Sequence, residues 1–262
     1  MGSNPTLSAT LEYRMALREE LEKTGRWLFR WRSYLPFLTL PILLMALPNS
    51  ELLERVMGVF ADELYEGFCL AISFVGLALR CMTIGYVPRG TSGRNTKKQK
   101  AKALNTIGMY SIVRHPLYLG NFLIFLGIIL FVEVWWFVLI AILSFALYYA
   151  PIMYAEEEFL RERFGNAYLE WSERTPAFIP DWKRWKRPDL PFSLRNVLKR
   201  EHSTFFVIVA SFSCLEIATD LFAERRLELD WEAGIFFALG FVVYLTLRTL
   251  KRSTAVLEVE GR

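Results

Sequence analysis

The chain has 262 residues, of which 53% are hydrophobic and 15% aromatic, and its formal net charge is +4. This composition is too apolar for an ordinary soluble domain and the chain is long enough for several membrane spans, which predicts one multi-pass membrane domain. Two histidines, and three cysteines that each sit alone in an apolar run, argue against a metal site or a disulfide framework.

The N-terminal region, residues 1–66, is expected to contain one poorly defined span. Residues 11–32 mix apolar and charged side chains at helical spacing, which predicts a helix at the membrane surface or a solvated lead-in helix. Residues 33–48 are apolar, but prolines interrupt them and they are shorter than the roughly 20 residues that a span needs. The acidic segment 49–66 is predicted to be an interfacial helix on the outer side.

A span over residues 67–86 and a basic loop over residues 87–107 set the orientation of the chain. The span contains Arg80 near its inner end, which either points into the bundle or snorkels to the interface, and snorkelling is favoured. The loop carries six Lys and Arg residues and no acid, which places it in the cytoplasm by the positive-inside rule. Its small-residue turn from Gly90 to Gly93 is a weak nucleotide-loop signal, and an ordinary loop is favoured.

Apolar runs at residues 117–132 and 135–153 are separated by only two residues, which predicts a tight antiparallel helical hairpin. The two cytoplasmic ends of such a hairpin must lie close together. The polar residues at 114–115 and at 156–157 are therefore expected to meet, although about 40 positions separate them in the sequence.

The remaining chain completes a bundle of about six spans with both ends inside. A mixed-charge cytoplasmic segment, residues 154–203, begins as a helix and ends in a Trp- and Pro-rich stretch suited to the headgroup level. Spans at 204–222 and 233–247 flank an acidic outer loop. The predicted fold class is thus all-α, a polytopic transmembrane helical bundle with three regions in one domain: 1–66, a core at 67–191, and a C-terminal helical hairpin at 192–262.

Two motifs flank the predicted hairpin and carry a family resemblance. The first reads Gly108-x-Tyr110-x-x-x-Arg114-His115-Pro116-x-Tyr118-x-Gly120. The second reads Glu156-Glu157-x-x-Leu160-x-x-x-Phe164-Gly165-x-x-Tyr168 and closes at Phe178-Ile179-Pro180. In this order they resemble the isoprenylcysteine carboxyl methyltransferase and phospholipid methyltransferase superfamily, which are integral membrane enzymes. The resemblance implies S-adenosylmethionine as the cofactor.

The first motif carries groups suited to binding an anion. His115 precedes Pro116 and is expected at a helix start, where backbone N–H groups and the helix dipole attract a carboxylate such as that of the cofactor. Arg114 adds a two-pronged donor for a carboxylate or phosphate. Both side chains could instead anchor the chain to lipid headgroups, and the resemblance favours the binding role.

The other first-motif residues each have a structural alternative. Tyr118 faces the same pocket as Arg114 or belongs to an aromatic belt, and Gly120 admits either a flat ligand or a neighbouring helix. The predicted cofactor-binding residues are Gly108, Tyr110, His115, Pro116, Tyr118, Gly120, Glu156 and Glu157.

The second motif places three adjacent carboxylates, Glu156 to Glu158, near a helix C-terminus, where the dipole disfavours acids. Arg161 and Arg163 are near enough to pair with them, so a solvated salt-bridged face is the alternative. The resemblance assigns the first two carboxylates to the cofactor pocket. The predicted catalytic residues are Arg114, Glu157 and Arg161.

The resemblance implies methyl transfer to a lipidic acceptor, most closely O-methylation of a prenylcysteine-like carboxylate, and the basic loop also fits an acidic or phosphorylated headgroup. A sulfonium already activates the methyl group, so the protein must mainly align the acceptor and exclude water. An amine acceptor would need a base, for which Glu157 is the nearest candidate. The alternatives are an NADPH-dependent membrane reductase of sterol-reductase type and a non-enzymatic membrane scaffold.

The expected partners are a lipidic small molecule and membrane lipids, because the basic loop attracts anionic headgroups. A short loop between spans does not suggest binding to nucleic acid. No organellar signal is recognisable, which predicts a bacterial cytoplasmic membrane with the site facing the cytoplasm.

Overall fold

The computed structural model describes residues 5–31, 34–50, 52–88, 101–224 and 231–259. These residues are predominantly helical and include no β-strand, which confirms the predicted all-α class. Residues 89–100 of the predicted basic loop, with its small-residue turn, and residues 225–230 of the acidic outer loop lie outside the described residues. The α-helices are α1 (Pro5–Trp31), α2 (Leu35–Ala46), α3 (Leu52–Met57), α4 (Val59–Tyr86), α5 (Pro116–Leu130), α6 (Trp135–Phe164), α7 (Asn166–Arg174), α8 (Leu194–Thr219) and α9 (Trp231–Ser253).

Four of the described helices are long and apolar enough to cross a membrane, which indicates a polytopic integral membrane protein. They are α4, α6, α8 with its extension to Phe222, and α9, at 28, 30, 29 and 23 residues. The other two predicted spans are shorter, because α5 has 15 residues and α2 has 12. At the rise of an α-helix they reach roughly 22 Å and 18 Å, against a hydrocarbon core of about 30 Å. The total of about six spans stays a prediction.

The segment 49–66 does not form the single interfacial helix that the sequence predicted. Helix α3 ends at Met57 and α4 begins at Val59, with Gly58 between them at a φ of 86°. Glycine adopts this left-handed conformation without steric cost. The acidic second half of the segment therefore forms the first turns of α4 and is continuous with a span.

Helices α4 and α5 pack so closely that their backbones touch. A Cβ at Gly76 would lie 2.6 Å from the Gly120 carbonyl oxygen, and Gly127 is equally crowded by Ser73. The Ser73 hydroxyl donates to the Ile124 carbonyl at 3.0 Å. Small residues at helix contacts are typical of membrane bundles, where close approach supplies the packing energy. This contact fixes the position of the first motif against the core.

Helices α5 and α6 form the tight antiparallel hairpin that the sequence predicted. Residues 131–134 connect them, and Glu133 adopts a φ of 61° there. Aromatic rings fill the contact, with Phe122 and Phe145 at 5.2 Å and Tyr118 and Tyr149 at 5.3 Å between centroids. The start of α5 consequently lies beside the last turns of α6, where the carboxylates of the second motif are located.

Helix α1 is longer than the predicted helix and packs along α6. Gly25 lies against the Pro151 carbonyl without room for a Cβ, and the Tyr148 hydroxyl donates to the Leu28 carbonyl at 3.1 Å. Two tryptophans of α1, Trp27 and Trp31, remain exposed. The packing excludes a fully solvated lead-in helix, and the location of α1 at the membrane surface stays a prediction.

The expectation that Arg80 snorkels to the interface is wrong. Its guanidinium is buried between helices, where Nε and Nη2 donate to the Glu201 carboxylate of α8 at 2.8 and 2.9 Å. Nη1 donates to the Asn121 side chain of α5 at 2.6 Å. The sequence alone did not pair residues 121 positions apart. This network connects the C-terminal helices to the core.

Candidate active site

The first motif is held in place by the segment that follows α7. The Arg114 and His115 amides donate to the carbonyls of Pro176 and Ala177 at 2.8 and 3.3 Å. Farther along, the Gly108 amide donates to the Lys186 carbonyl at 2.9 Å. These bonds use the His115 amide, directly before the first residue of α5.

The helix start itself follows the local sequence. His115 has a non-helical backbone with φ −120° and ψ 60°, and Pro116 is the first residue of α5. A residue before proline is biased away from the helical region, while proline suits the first helical position. The break turns the Arg114 and His115 side chains toward α6.

Three side chains from the two motifs form one cluster, which we call the Arg-His-Glu cluster: Arg114, His115 and Glu157. Arg114 Nη1 lies 2.9 Å from both carboxylate oxygens of Glu157. His115 Nε2 lies 2.9 Å from Glu157 Oε1, and because an ionised carboxylate only accepts, Nε2 carries the proton. The sequence prediction that the two motifs meet at the end of the hairpin is confirmed.

Tyr168 completes the surroundings of the cluster, although it was not among the predicted site residues. Its hydroxyl and Arg114 Nε are buried and form no hydrogen bond. Burial raises the pKa of the Tyr168 hydroxyl, and the nearby Glu157 carboxylate raises it further. The phenol therefore stays protonated, and Gly165-x-x-Tyr168 in the second motif was the signal that could have identified it.

Glu156 lies beside Tyr110 and not in the Arg-His-Glu cluster. Burial raises the pKa of the Tyr110 hydroxyl and the Glu156 carboxylate adds to the shift. The Tyr110 carbonyl accepts a hydrogen bond from the Trp171 indole at 3.0 Å. Glu156 and Tyr110, both predicted to bind cofactor, thus lie near each other.

The predicted glycines are explained by the backbone and by packing. Gly108 has a φ of 60°, which favours glycine, and it faces Pro188. A Cβ at Gly120 would lie 2.5 Å from Arg80 Cγ, so this glycine makes room for the Arg80 side chain. The helix-packing alternative therefore describes Gly120 in this structure.

Arg161 does not join the Arg-His-Glu cluster. Its guanidinium pairs with Glu158, which is buried and also contacts Arg18 of α1. Glu158 and Arg161 are three residues apart and share a face of α6, while Glu157 points elsewhere. A catalytic role for Arg161 stays a prediction. In this structure Arg161 shares Glu158 with Arg18, in a contact that holds α1 against α6.

Beyond the cluster, aromatic rings line the start of the hairpin. The His115 and Tyr118 rings lie 5.7 Å apart, and Tyr118 continues to Tyr149. Tyr118 is thus buried in the bundle beside His115 and does not belong to an exposed aromatic belt. Within the described ranges, no group of three or more His, Cys, Asp and Glu side chains is arranged to hold a metal ion.

Comparisons with known proteins agree with the motifs. The family model of phospholipid methyltransferases matches residues 68–167, from α4 to the start of α7. The cobalt-zinc-cadmium resistance protein CzcN of Cupriavidus metallidurans is 30% identical over 154 residues, covering 59% of this chain and 64% of its own. The nickel-cobalt-cadmium resistance protein NccN of Alcaligenes xylosoxydans is 34% identical over 151 residues, covering 58% of this chain and 62% of its own.

The chain spans less than two thirds of the length of these relatives. No solved structure matches it. The matched segment contains the α5–α6 hairpin and all three residues of the Arg-His-Glu cluster. Residues 68–167 are therefore similar to the phospholipid methyltransferase family, which is part of the superfamily that the two motifs resemble.

Proposed function

We propose that this protein transfers a methyl group from S-adenosylmethionine to a lipidic acceptor drawn from the membrane. The observation that carries the proposal is the Arg-His-Glu cluster, in which Arg114 and His115 meet Glu157 across the α5–α6 hairpin. The family match supports it, because methyltransferases of this family act on lipids and generally use that cofactor.

The side chains at the site fit the chemistry of S-adenosylmethionine. Its carboxylate needs donors, and Arg114 Nε is a buried donor without a hydrogen-bond partner. Its ammonium and ribose hydroxyls need acceptors, which the Glu156 and Glu157 carboxylates provide. The rings of Tyr118 and Tyr149 offer an apolar wall beside these charges.

The bound cofactor would supply a methyl group that its sulfonium already activates. The residues of the chain then have to orient the acceptor and exclude water. Glu157 fixes the Arg114 guanidinium on one side and His115 on the other, so two of the three groups are preorganised by the third.

An oxygen acceptor fits this arrangement better than an amine. A carboxylate acceptor reacts without losing a proton, whereas an amine needs a base. Glu157, the nearest candidate, already accepts from Arg114 and His115 and is less available to remove a proton. We therefore propose O-methylation of a lipid-borne carboxylate, such as a prenylcysteine-like group, or of another acidic headgroup.

The acceptor would reach the site from the headgroup level of the cytoplasmic leaflet. The segment that holds the first motif exposes Ile179, Trp182 and Trp185 beside the basic Lys183 and Lys186. Tryptophan and lysine together are typical of the membrane interface, where basic residues attract anionic lipids. We place the protein in a bacterial cytoplasmic membrane with this segment inside.

Transfer of a labelled methyl group tests the proposal. Bacterial membranes containing the full chain are incubated with S-adenosylmethionine labelled in its methyl group, and the lipids are then extracted. We expect label in the lipid extract with the wild type and near-background label with Glu157→Gln. Mild alkali should release the label as methanol, since a carboxylate methyl ester is cleaved under those conditions.

Three other results would redirect or reject the proposal. If the lipid label resists alkali, the acceptor is an amine or a phosphate and not a carboxylate. Absence of label with the wild type, or equal label with the variant, would contradict methyl transfer at this site. Thermal stabilisation of the purified protein by NADPH, and not by S-adenosylhomocysteine, would support the reductase alternative.

A further inference from the structure

Two buried polar atoms at the site have no hydrogen-bond partner, namely the Tyr168 hydroxyl and Arg114 Nε. Tyr168 is only 4% exposed, so bulk water does not satisfy its hydroxyl. Buried polar groups in folded proteins are nearly always hydrogen bonded, and exceptions concentrate at functional sites. Two such atoms beside one carboxylate point to a bound ligand atom.

The fold holds Tyr168 in this position from both sides. Gly165 ends α6 with a φ of 53°, which reverses the chain so that α7 returns toward the cluster, and the Tyr168 amide donates to the Gly165 carbonyl at 3.1 Å. The Tyr168 ring lies edge-on to Trp171 at 5.7 Å, and Trp171 is bonded to the Tyr110 carbonyl. These contacts fix the position of the Tyr168 phenol before any ligand binds.

The character of the two atoms specifies what they bind. Arg114 Nε only donates, and the protonated Tyr168 hydroxyl also donates when an acceptor is present. The Tyr168 phenol lies beside both the Arg114 guanidinium and the Glu157 carboxylate. Glu157 already accepts from Arg114 Nη1 and His115, so a ligand oxygen is the acceptor that the two remaining donors would share.

We propose that Tyr168 and Arg114 Nε together bind one anionic oxygen of a ligand, and that Tyr168 is therefore a binding residue of this site. The oxygen belongs to the carboxylate of the cofactor or to the anionic end of the acceptor. This inference rests on the proposed function, because it assumes that both molecules bind beside the Arg-His-Glu cluster.

Calorimetric binding to the purified full chain in detergent distinguishes the two sources. The first probe pair is S-adenosylhomocysteine and 5′-methylthioadenosine, which lacks the amino-acid carboxylate. The second pair is N-acetyl-S-farnesylcysteine and its methyl ester, which lacks the charged oxygen. Tyr168→Phe removes only the hydroxyl and is expected to weaken the acidic member of one pair about 10- to 100-fold, leaving the other three probes nearly unchanged.

Two further variants separate binding from structure. Arg114→Lys keeps the positive charge and removes Nε, and it should weaken the same probe as Tyr168→Phe, with a double variant less affected than the product of the two losses. Tyr154→Phe is the matched control, since Tyr154 lies on α6 beside Arg18 and Glu158, and it should bind all probes as the wild type does.

Each outcome decides the inference. Selective loss of S-adenosylhomocysteine assigns the oxygen to the cofactor, and selective loss of the farnesylated acid assigns it to the acceptor. Unchanged binding by Tyr168→Phe, or equal weakening of all four probes, overturns the inference and leaves the proposed function intact. A wild-type chain that binds none of the probes would instead reject the proposed function, and this inference with it.

Discussion

Neighbouring carboxylates on α6 have different partners because of helix geometry. Successive side chains on an α-helix are rotated by about 100°, so Glu157 and Glu158 cannot face the same neighbour. Glu157 points to the start of α5 and meets Arg114, while Glu158 points to α1 and meets Arg161 and Arg18. Two consecutive residues of α6 thus have different roles, since Glu157 belongs to the candidate site and Glu158 to the packing contact with α1.

Glu157→Gln is expected to lower methyl transfer by roughly 100-fold or more, because it removes the charge that preorganises Arg114 and His115. The measurement is the rate of labelled methyl transfer to extracted lipid. Glu162→Gln serves as the control, since Glu162 is exposed one turn farther along α6. Similar losses in both variants would show that Glu157 has no special role.

At the scale of elements, the close contact between α4 and α5 positions the first motif. Glycines allow this contact because a side chain on either helix would force the backbones apart. Gly76 faces the Gly120 carbonyl directly, whereas Gly67, on the same helix, has nothing within 4 Å of its added Cβ. Alanine substitution at Gly76 therefore measures the cost of crowding, and at Gly67 it measures the effect of helix propensity alone.

Gly76→Ala is expected to lower the free energy of unfolding by about 1–3 kcal/mol, because its Cβ cannot fit without moving α5. Gly67→Ala should leave stability unchanged or raise it by up to about 1 kcal/mol, since alanine favours the helix and meets no neighbour. Thermal unfolding in detergent, followed by circular dichroism, measures both. A Gly76→Ala protein as stable as Gly67→Ala would contradict the close contact.

The reversal between α6 and α7 depends on Gly165. Its φ of 53° is rarely adopted by other residues, so Gly165→Ala should cost about 1–3 kcal/mol even though there is open space around it. The variant should also weaken S-adenosylhomocysteine binding, since α7 carries Tyr168. Gly234→Ala, likewise in open space but without a positive φ, is the control, and calorimetry with thermal unfolding tests both effects.

On the scale of the whole molecule, one ionic network connects three helices. Arg80 of α4 donates to Glu201 of α8 and to Asn121 of α5, and both charged side chains are buried. Helix α9 packs on α8, with Gly240 against Val209. The C-terminal hairpin is thus attached to α4 and α5 by a specific polar contact in addition to apolar packing.

Arg80→Met should destabilise the protein by about 3–5 kcal/mol, because it leaves the Glu201 carboxylate buried without its guanidinium partner. The double variant Arg80→Met with Glu201→Met should be less destabilised than Arg80→Met alone, since neither charge then remains buried. Thermal unfolding of the three proteins provides the test. Equal stability of the single and double variants would show that the ion pair is not coupled.

The sequence by itself determined the helical class, the hairpin and the meeting of its two polar ends. Hydrophobic runs and a two-residue break require that α5 and α6 fold back, and this geometry alone brings Arg114 and His115 to Glu157. Local rules also placed the start of α5 at His115 and Pro116, because the bias of a residue before proline acts within two residues.

Only the tertiary structure decided which side chains from distant parts of the sequence contact each other. Packing of α1 on α6 brings Arg18 to Glu158, and packing of α8 on α4 pairs Glu201 with Arg80. Tyr168 enters the site because Gly165 reverses the chain. Periodicity shows which face of a helix is apolar, but the neighbour that covers that face depends on contacts between residues far apart in sequence, and those contacts set the chemistry of the site.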